Sequence, residues 1–119
     1  MPYRVLVAED SEQTRKQLKA LLESDDAYQV DTVGDGKAAC AALNQTNYAF
    51  LLTDLRMPGM DGLALIREAQ ERRKRLTAIL LTGSPTEVAE QAAGGDITLV
   101  RKPVTADQLV KDAKMALEA

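Results

Sequence analysis

Five residues with chemical potential stand at or just past the ends of short apolar runs. Glu9 and Asp10 follow Val5-Leu6-Val7-Ala8, and Asp54 follows Phe50-Leu51-Leu52-Thr53. Thr82 closes Ala78-Ile79-Leu80-Leu81-Thr82, and Lys102 follows Ile97-Thr98-Leu99-Val100-Arg101. Singly, each has an ordinary explanation: Asp10 could cap a helix, Thr82 could satisfy a loop amide, and Lys102 could be a solvated cation. Brought together they mean more. Two unit charges about 4 Å apart repel by about 4 kcal/mol at an effective dielectric near 20, so clustered carboxylates call for a cation. Oxygen donors without His or Cys suit a hard ion such as Mg²⁺, which is held by one or two carboxylates plus waters and phosphate oxygens. A lysine and a threonine nearby supply the positive charge and hydroxyl donor that an incoming phosphoryl group needs. A carboxylate can itself attack phosphorus and form an aspartyl phosphate. The set predicts a phosphoryl acceptor.

Composition excludes several other chemistries. The 119 residues contain no histidine, so no His general base, His-ligated zinc or phosphohistidine can be built from this chain. The formal net charge of -3 argues against a nucleic-acid binder, which shows a basic face. The single cysteine, Cys40, cannot form an internal disulfide, and within Ala38-Ala39-Cys40-Ala41-Ala42 it reads as a small core residue. A reducing, cytoplasmic setting is the expectation. No apolar run has membrane-spanning length and the start carries no signal-peptide pattern, so no membrane contact is expected. The basic cluster Arg72-Arg73-Lys74-Arg75 reads as the solvated end of a helix, where it suits the dipole.

The elements that must position the five residues are legible as an alternation. Strand-like runs cover Arg4–Ala8, Gln29–Val33, Ala49–Thr53, Ala78–Thr82 and Ile97–Arg101, several apolar nearly throughout, as in strands covered on both faces. Helical stripes lie between them: Leu18, Leu21 and Leu22; Leu63, Leu65 and Ile66; Leu109, Ala113 and Leu117. Ser84-Pro85-Thr86-Glu87 and the pair Thr105 and Gln108 read as capping boxes, and Gly94 as a helix stop. Strict alternation predicts one α/β domain over residues 1–119, a doubly wound parallel sheet of five strands with helices on both faces. In such sheets ligands bind beyond the carboxyl ends of the strands, where the winding direction reverses. That rim is where the three acids, the hydroxyl and the lysine fall.

Over its whole length the sequence resembles the receiver domain of two-component response regulators. The resemblance rests on VLVAEDS at 5–11, DLRMPGMDG at 54–62, ILLTG at 79–83 and Lys102-Pro103. It implies a flavodoxin-like (βα)5 fold with strand order 2-1-3-4-5. It further implies that Asp54 accepts a phosphoryl group from a phosphohistidine on a sensor histidine kinase or phosphotransfer protein, and so switches an output surface. Glu9, Asp10, Asp54 and the backbone carbonyl of Arg56 would hold Mg²⁺, while Thr82 and Lys102 would bind phosphoryl oxygens. The Lys102–Pro103 bond would be cis. The implied protein is not an enzyme acting on outside substrates, contacts neither nucleic acid nor membrane directly, and has room for a weak homodimer. Three departures from the family pattern stand out. Glu9 replaces a common Asp, Leu99 replaces the aromatic residue that usually swings inward with the threonine, and Val104 replaces a common Phe. Competing readings are a haloacid-dehalogenase-type phosphatase, against which Arg56 occupies the position of the general acid, and a flavin or nucleotide module, for which no G-x-G-x-x-G opens the first helix. A receiver that no longer takes phosphate and serves only as an interaction module is a third, which Leu99 keeps open.

Overall fold

Strands covered on both faces need apolar side chains at successive positions, and five segments of the computed structural model meet that condition. They are β1 (Tyr3–Ala8), β2 (Tyr28–Val33), β3 (Phe50–Asp54), β4 (Thr77–Thr82) and β5 (Ile97–Arg101), each within a residue of its sequence expectation. The structure describes residues 3–73, 76–83, 97–101, 108, 111, 114 and 115. All five strands are parallel in one sheet of order β2-β1-β3-β4-β5. The expected boxes at Ser84–Glu87 and Thr105, the stop at Gly94 and the stripe of Leu109, Ala113 and Leu117 lie outside the described residues. Gln108, Lys111, Lys114 and Met115 are helical.

Alternation along each strand divides the core in two. Val5, Val7, Val30, Phe50, Leu52, Ile79, Leu81 and Val100 pack with Leu18 and Leu22 of α1 (Glu12–Glu23). The intervening residues Leu6, Ala8, Leu51, Ala78 and Leu80 pack with Ala39 of α2 (Gly36–Gln45) and with Leu65, Ile66 and Ala69 of α3 (Gly62–Arg72). Helices therefore cover both faces, which is the doubly wound arrangement. Each of α1, α2 and α3 starts on a side-chain cap: Ser11 accepts from the Thr14 amide, Asp35 from the Ala38 amide and Asp61 from the Ala64 amide.

Three sequence readings change in detail. Asp10 is not the cap of α1, because Ser11 does that work. Cys40 is half-buried against the α2–α3 side of the core. Arg72 and Arg73 are exposed at the end of α3, as read, but are also hydrogen-bonded there: Arg72 donates to Asn44 and Glu68, and Arg73 to the Tyr48 carbonyl, tying the end of α3 to α2 and the approach to β3. Lys74 and Arg75 lie outside the described residues.

Candidate functional site

The strand order makes the chain wind away from β1 in two directions, opening a crevice between β1 and β3 at their carboxyl ends. The last register pair there is Ala8 with Thr53, so Glu9 emerges level with Asp54. On the other side Asp54 pairs with Leu81, which puts Thr82 one step further up β4. The ladder persists past both strand ends, with the Glu9 amide donating to Val33 at 3.1 Å and the Leu55 amide to Leu81 at 3.0 Å. Both acids are thus mounted on backbone that the sheet fixes.

Carboxylate oxygens of Glu9, Asp10 and Asp54 all lie within 4.8 Å of one another. Asp10 is exposed, Asp54 half-buried and Glu9 only 3 % exposed. One Glu9 oxygen, Oε1, accepts the Ser11 amide at 3.1 Å; the other, Oε2, is buried without a hydrogen-bond partner among the described residues. The Glu9 carboxyl is pushed up from its ordinary 4.5 to about 7, foremost by burial. The neighbouring Asp54 and Asp10 carboxylates push the same way and the Ser11 amide opposes them. A buried carboxylate oxygen with no donor, facing two more carboxylates, is a poor structural device but a suitable cation ligand. Without His or Cys in the donor set, the ion that fits is a hard divalent one.

The stretch after Asp54 is shaped by close approach. Gly62 is needed where α3 meets the end of β3, since a Cβ there would lie 2.1 Å from the Asp54 carbonyl oxygen. The Gly62 amide donates to the Leu55 carbonyl at 2.7 Å. Gly59 takes a positive φ of 82° in the intervening turn. Met57 and Met60 turn inward against the α2–α3 side of the core. Met60 sits so tightly over the start of α2 that a Cβ on Gly36 would come within 2.9 Å of its own. Arg56 and Pro58 flank an open depression shared with Asp10, Met57 and Asp61.

The structure therefore brings Glu9, Asp10 and Asp54 together, and places Arg56 beside Asp10 and Thr82 one residue beyond the level of Asp54. Thr82 is buried and engaged with neighbours. Lys102, the Lys102–Pro103 bond and Val104 lie outside the described residues. Leu99 pairs with Leu80 across the sheet and packs, half-buried, on the α2–α3 side of the core. Sequence reasoning missed Arg15, whose guanidinium donates to the carbonyl oxygens of Glu9 at 2.9 Å and Asp10 at 3.2 Å. It also missed Asp61 and Gly62, which cap and seat α3 beside Asp54; an Asp-Gly pair opening an apolar helical stripe was the available signal.

Comparison with known proteins places this geometry. A sequence profile described as the response regulator receiver domain matches residues 5–114. The chemotaxis protein CheY of Pseudomonas aeruginosa is 32% identical over 119 residues, covering 97% of this chain and 96% of CheY. The transcriptional regulatory protein TctD of Salmonella typhimurium is 35% identical over 116 residues, covering 94% of this chain and 50% of TctD, so the chain spans about half the length of that relative. Among solved structures, a receiver domain protein of Clostridium thermocellum superposes with a TM-score of 0.89 at 25% identity, covering 98% of this chain and 94% of that one. The receiver domain of a Pseudomonas aeruginosa PAO1 sensor histidine kinase, with a magnesium ion coordinated in its active-site cleft, has a TM-score of 0.88 at 25% identity with both chains fully covered (100% each).

Proposed function

The chain belongs to the response regulator receiver domains, and from that membership and its acidic rim we propose that Asp54 is the phosphoacceptor of a two-component signalling protein. The observation that carries the reading is the buried Glu9 Oε2, without a hydrogen-bond partner among the described residues, within a cluster of three carboxylates at the crevice between β1 and β3. Glu9, Asp10, Asp54 and the Arg56 carbonyl would hold Mg²⁺, the ion seen in the cleft of the sensor-kinase receiver domain. When bound, the ion supplies positive charge that offsets the negative charge of the phosphoryl group.

The chain's own residues do the rest. β3 holds Asp54 rigidly at the rim, so that a carboxylate oxygen can attack phosphorus in line with the leaving group. As the new O–P bond forms, the P–N bond of a phosphohistidine on the donor breaks and its electron pair returns to the imidazole nitrogen. Thr82 donates its hydroxyl to a phosphoryl oxygen and Lys102 pairs with another. Receiver domains of response regulators are phosphorylated by histidine kinases, and since these 119 residues hold no histidine the donor phosphohistidine lies outside them. Movement of Thr82 toward the phosphoryl oxygens then biases the surface around β4 and β5 between two states. The protein promotes only its own phosphorylation and dephosphorylation, in the cytoplasm.

Incubation with acetyl phosphate and Mg²⁺, read by intact-protein mass spectrometry, tests the assignment. The wild type gains one phosphoryl group and Asp54→Asn gains none; equal labelling of the two refutes it. A wild type that stays unlabelled despite binding Mg²⁺ favours the interaction module. Sustained turnover of an aryl phosphate ester favours the phosphatase.

A further inference from the structure

Arg15 lies on the first turn and a half of α1, where an amphipathic helix ordinarily shows a cation to solvent. Instead its Nη1 reaches back to two consecutive carbonyl oxygens, Glu9 at 2.9 Å and Asp10 at 3.2 Å. Room for the guanidinium is left by Gly34 on the β2–α2 connection, where a Cβ would lie 3.0 Å from Nη1. The choice of acceptor is informative. Three carboxylates stand nearby, and an arginine binds carboxylate more strongly than carbonyl. Pairing with a carboxylate would occupy the oxygens that an ion needs. Bonding to carbonyls leaves those oxygens available while fixing the two peptide units that aim the Glu9 and Asp10 side chains.

We infer that Arg15 is a positioning residue for the divalent cation, clamping the Glu9–Asp10 backbone from behind so that both side chains face Asp54, with Gly34 keeping the clamp's seat open. The inference rests on the metal-site reading above and extends it to residues outside the ligand set. It also has a sign that separates it from the alternative. A fixed positive charge beside the site, acting by charge alone, repels Mg²⁺, so its removal would tighten binding. A clamp that orients ligands does the reverse: its removal weakens binding, by about tenfold for an outer residue of this kind. Lysine keeps the charge but carries a compact ammonium rather than a planar fork, so it should not restore the clamp fully.

The test measures Mg²⁺ affinity of the full chain by isothermal titration calorimetry, with circular dichroism to verify folding. Arg15→Gln is expected to raise the dissociation constant about tenfold, with Arg15→Lys falling between it and wild type. The Mg²⁺ concentration that half-saturates labelling by acetyl phosphate should move by the same factor. Gly34→Ala crowds the guanidinium and should weaken binding in the wild-type background but not in Arg15→Gln, since its effect passes through that side chain. Unchanged or tighter Mg²⁺ binding in Arg15→Gln overturns the inference, as does a Gly34→Ala effect that persists without Arg15. If Arg15→Gln fails to fold, Arg15→Lys decides: weaker Mg²⁺ binding than wild type supports the clamp, and unchanged or tighter binding overturns it. A wild type that binds no Mg²⁺ overturns the metal site itself, a distinct result.

Discussion

A carboxyl group removed from water and faced by two others keeps its proton to higher pH than one in solution, and Glu9 is such a group. In the metal-free protein its pKa is raised to about 7, against an ordinary 4.5 that applies once the chain unfolds. Between these values the native state binds more protons than the unfolded state, so stability falls as pH rises. The loss is about 1.4 kcal/mol per pH unit at most, or roughly 3 kcal/mol across the window. Urea denaturation in EDTA should therefore find the wild type more stable at pH 5 than at pH 8. Glu9→Gln, which keeps the shape and never ionises, should lack this share of the slope and exceed the wild type at pH 8. Parallel profiles for the two proteins would show that Glu9 is not held in this way. The same repulsion fits the metal-ligand role proposed for Glu9: a glutamine would serve stability better, and a ligand must be able to ionise.

At the scale of elements, the decisive contact is between the start of α3 and the end of β3. A methyl group on Gly62 would meet the Asp54 carbonyl oxygen at 2.1 Å and its carbonyl carbon at 2.9 Å, both backbone atoms that cannot swing aside. Gly62→Ala must push α3 away from the sheet or tilt the Asp54 peptide. We expect a cost of about 3 kcal/mol, read as a lower denaturation midpoint, together with slower labelling of Asp54 in the molecules that remain folded. Gly59→Ala, where the Cβ meets nothing but φ is 82°, should cost less, about 1 kcal/mol. Equal effects would mean that the turn, not the helix seat, governs the site. Here lies the boundary of what the sequence could disclose. The strands were legible because a sheet covered on both faces demands apolar residues in succession, and the acids because each interrupts such a run at its end. The Asp61-Gly62 pair marked a helix start, but the close approaches of Gly62 to Asp54, of Gly36 to Met60 and of Arg15 to the Glu9 and Asp10 carbonyls were not legible, since each is set by how one element folds back on another. On its own helix Arg15 is an ordinary polar position; only the fold turns it toward the Glu9 and Asp10 carbonyls. Leu99 shows the converse. Its departure from the aromatic pattern was visible in sequence, and the structure seats it on the α2–α3 side of the core opposite Leu80, leaving a smaller lever for any inward swing.

For the molecule as a whole, the sheet concentrates apolar burial in its middle and leaves the charge repulsion at one rim. Relief of that repulsion should therefore appear as global stability. A ligand that binds only the native state stabilises it by about 2.7 kcal/mol when free ligand is 100 times its dissociation constant. For a chain of 119 residues that corresponds to a rise of roughly 10 °C in Tm. The gain should itself depend on pH. Glu9 must lose its proton to serve as a ligand, so Mg²⁺ binding releases a proton below about pH 7 and weakens as pH falls further. Calorimetric melts with Mg²⁺ should thus show a large shift at pH 8 and a small one at pH 5.5, with Asp10→Asn reducing the shift at both. Adding Mg²⁺ should also cancel the stability lost between pH 5 and pH 8 in the metal-free protein, because the ion takes over the charge that the proton had neutralised. A shift equally large at both pH values would separate the ion from Glu9 and place it elsewhere on the rim.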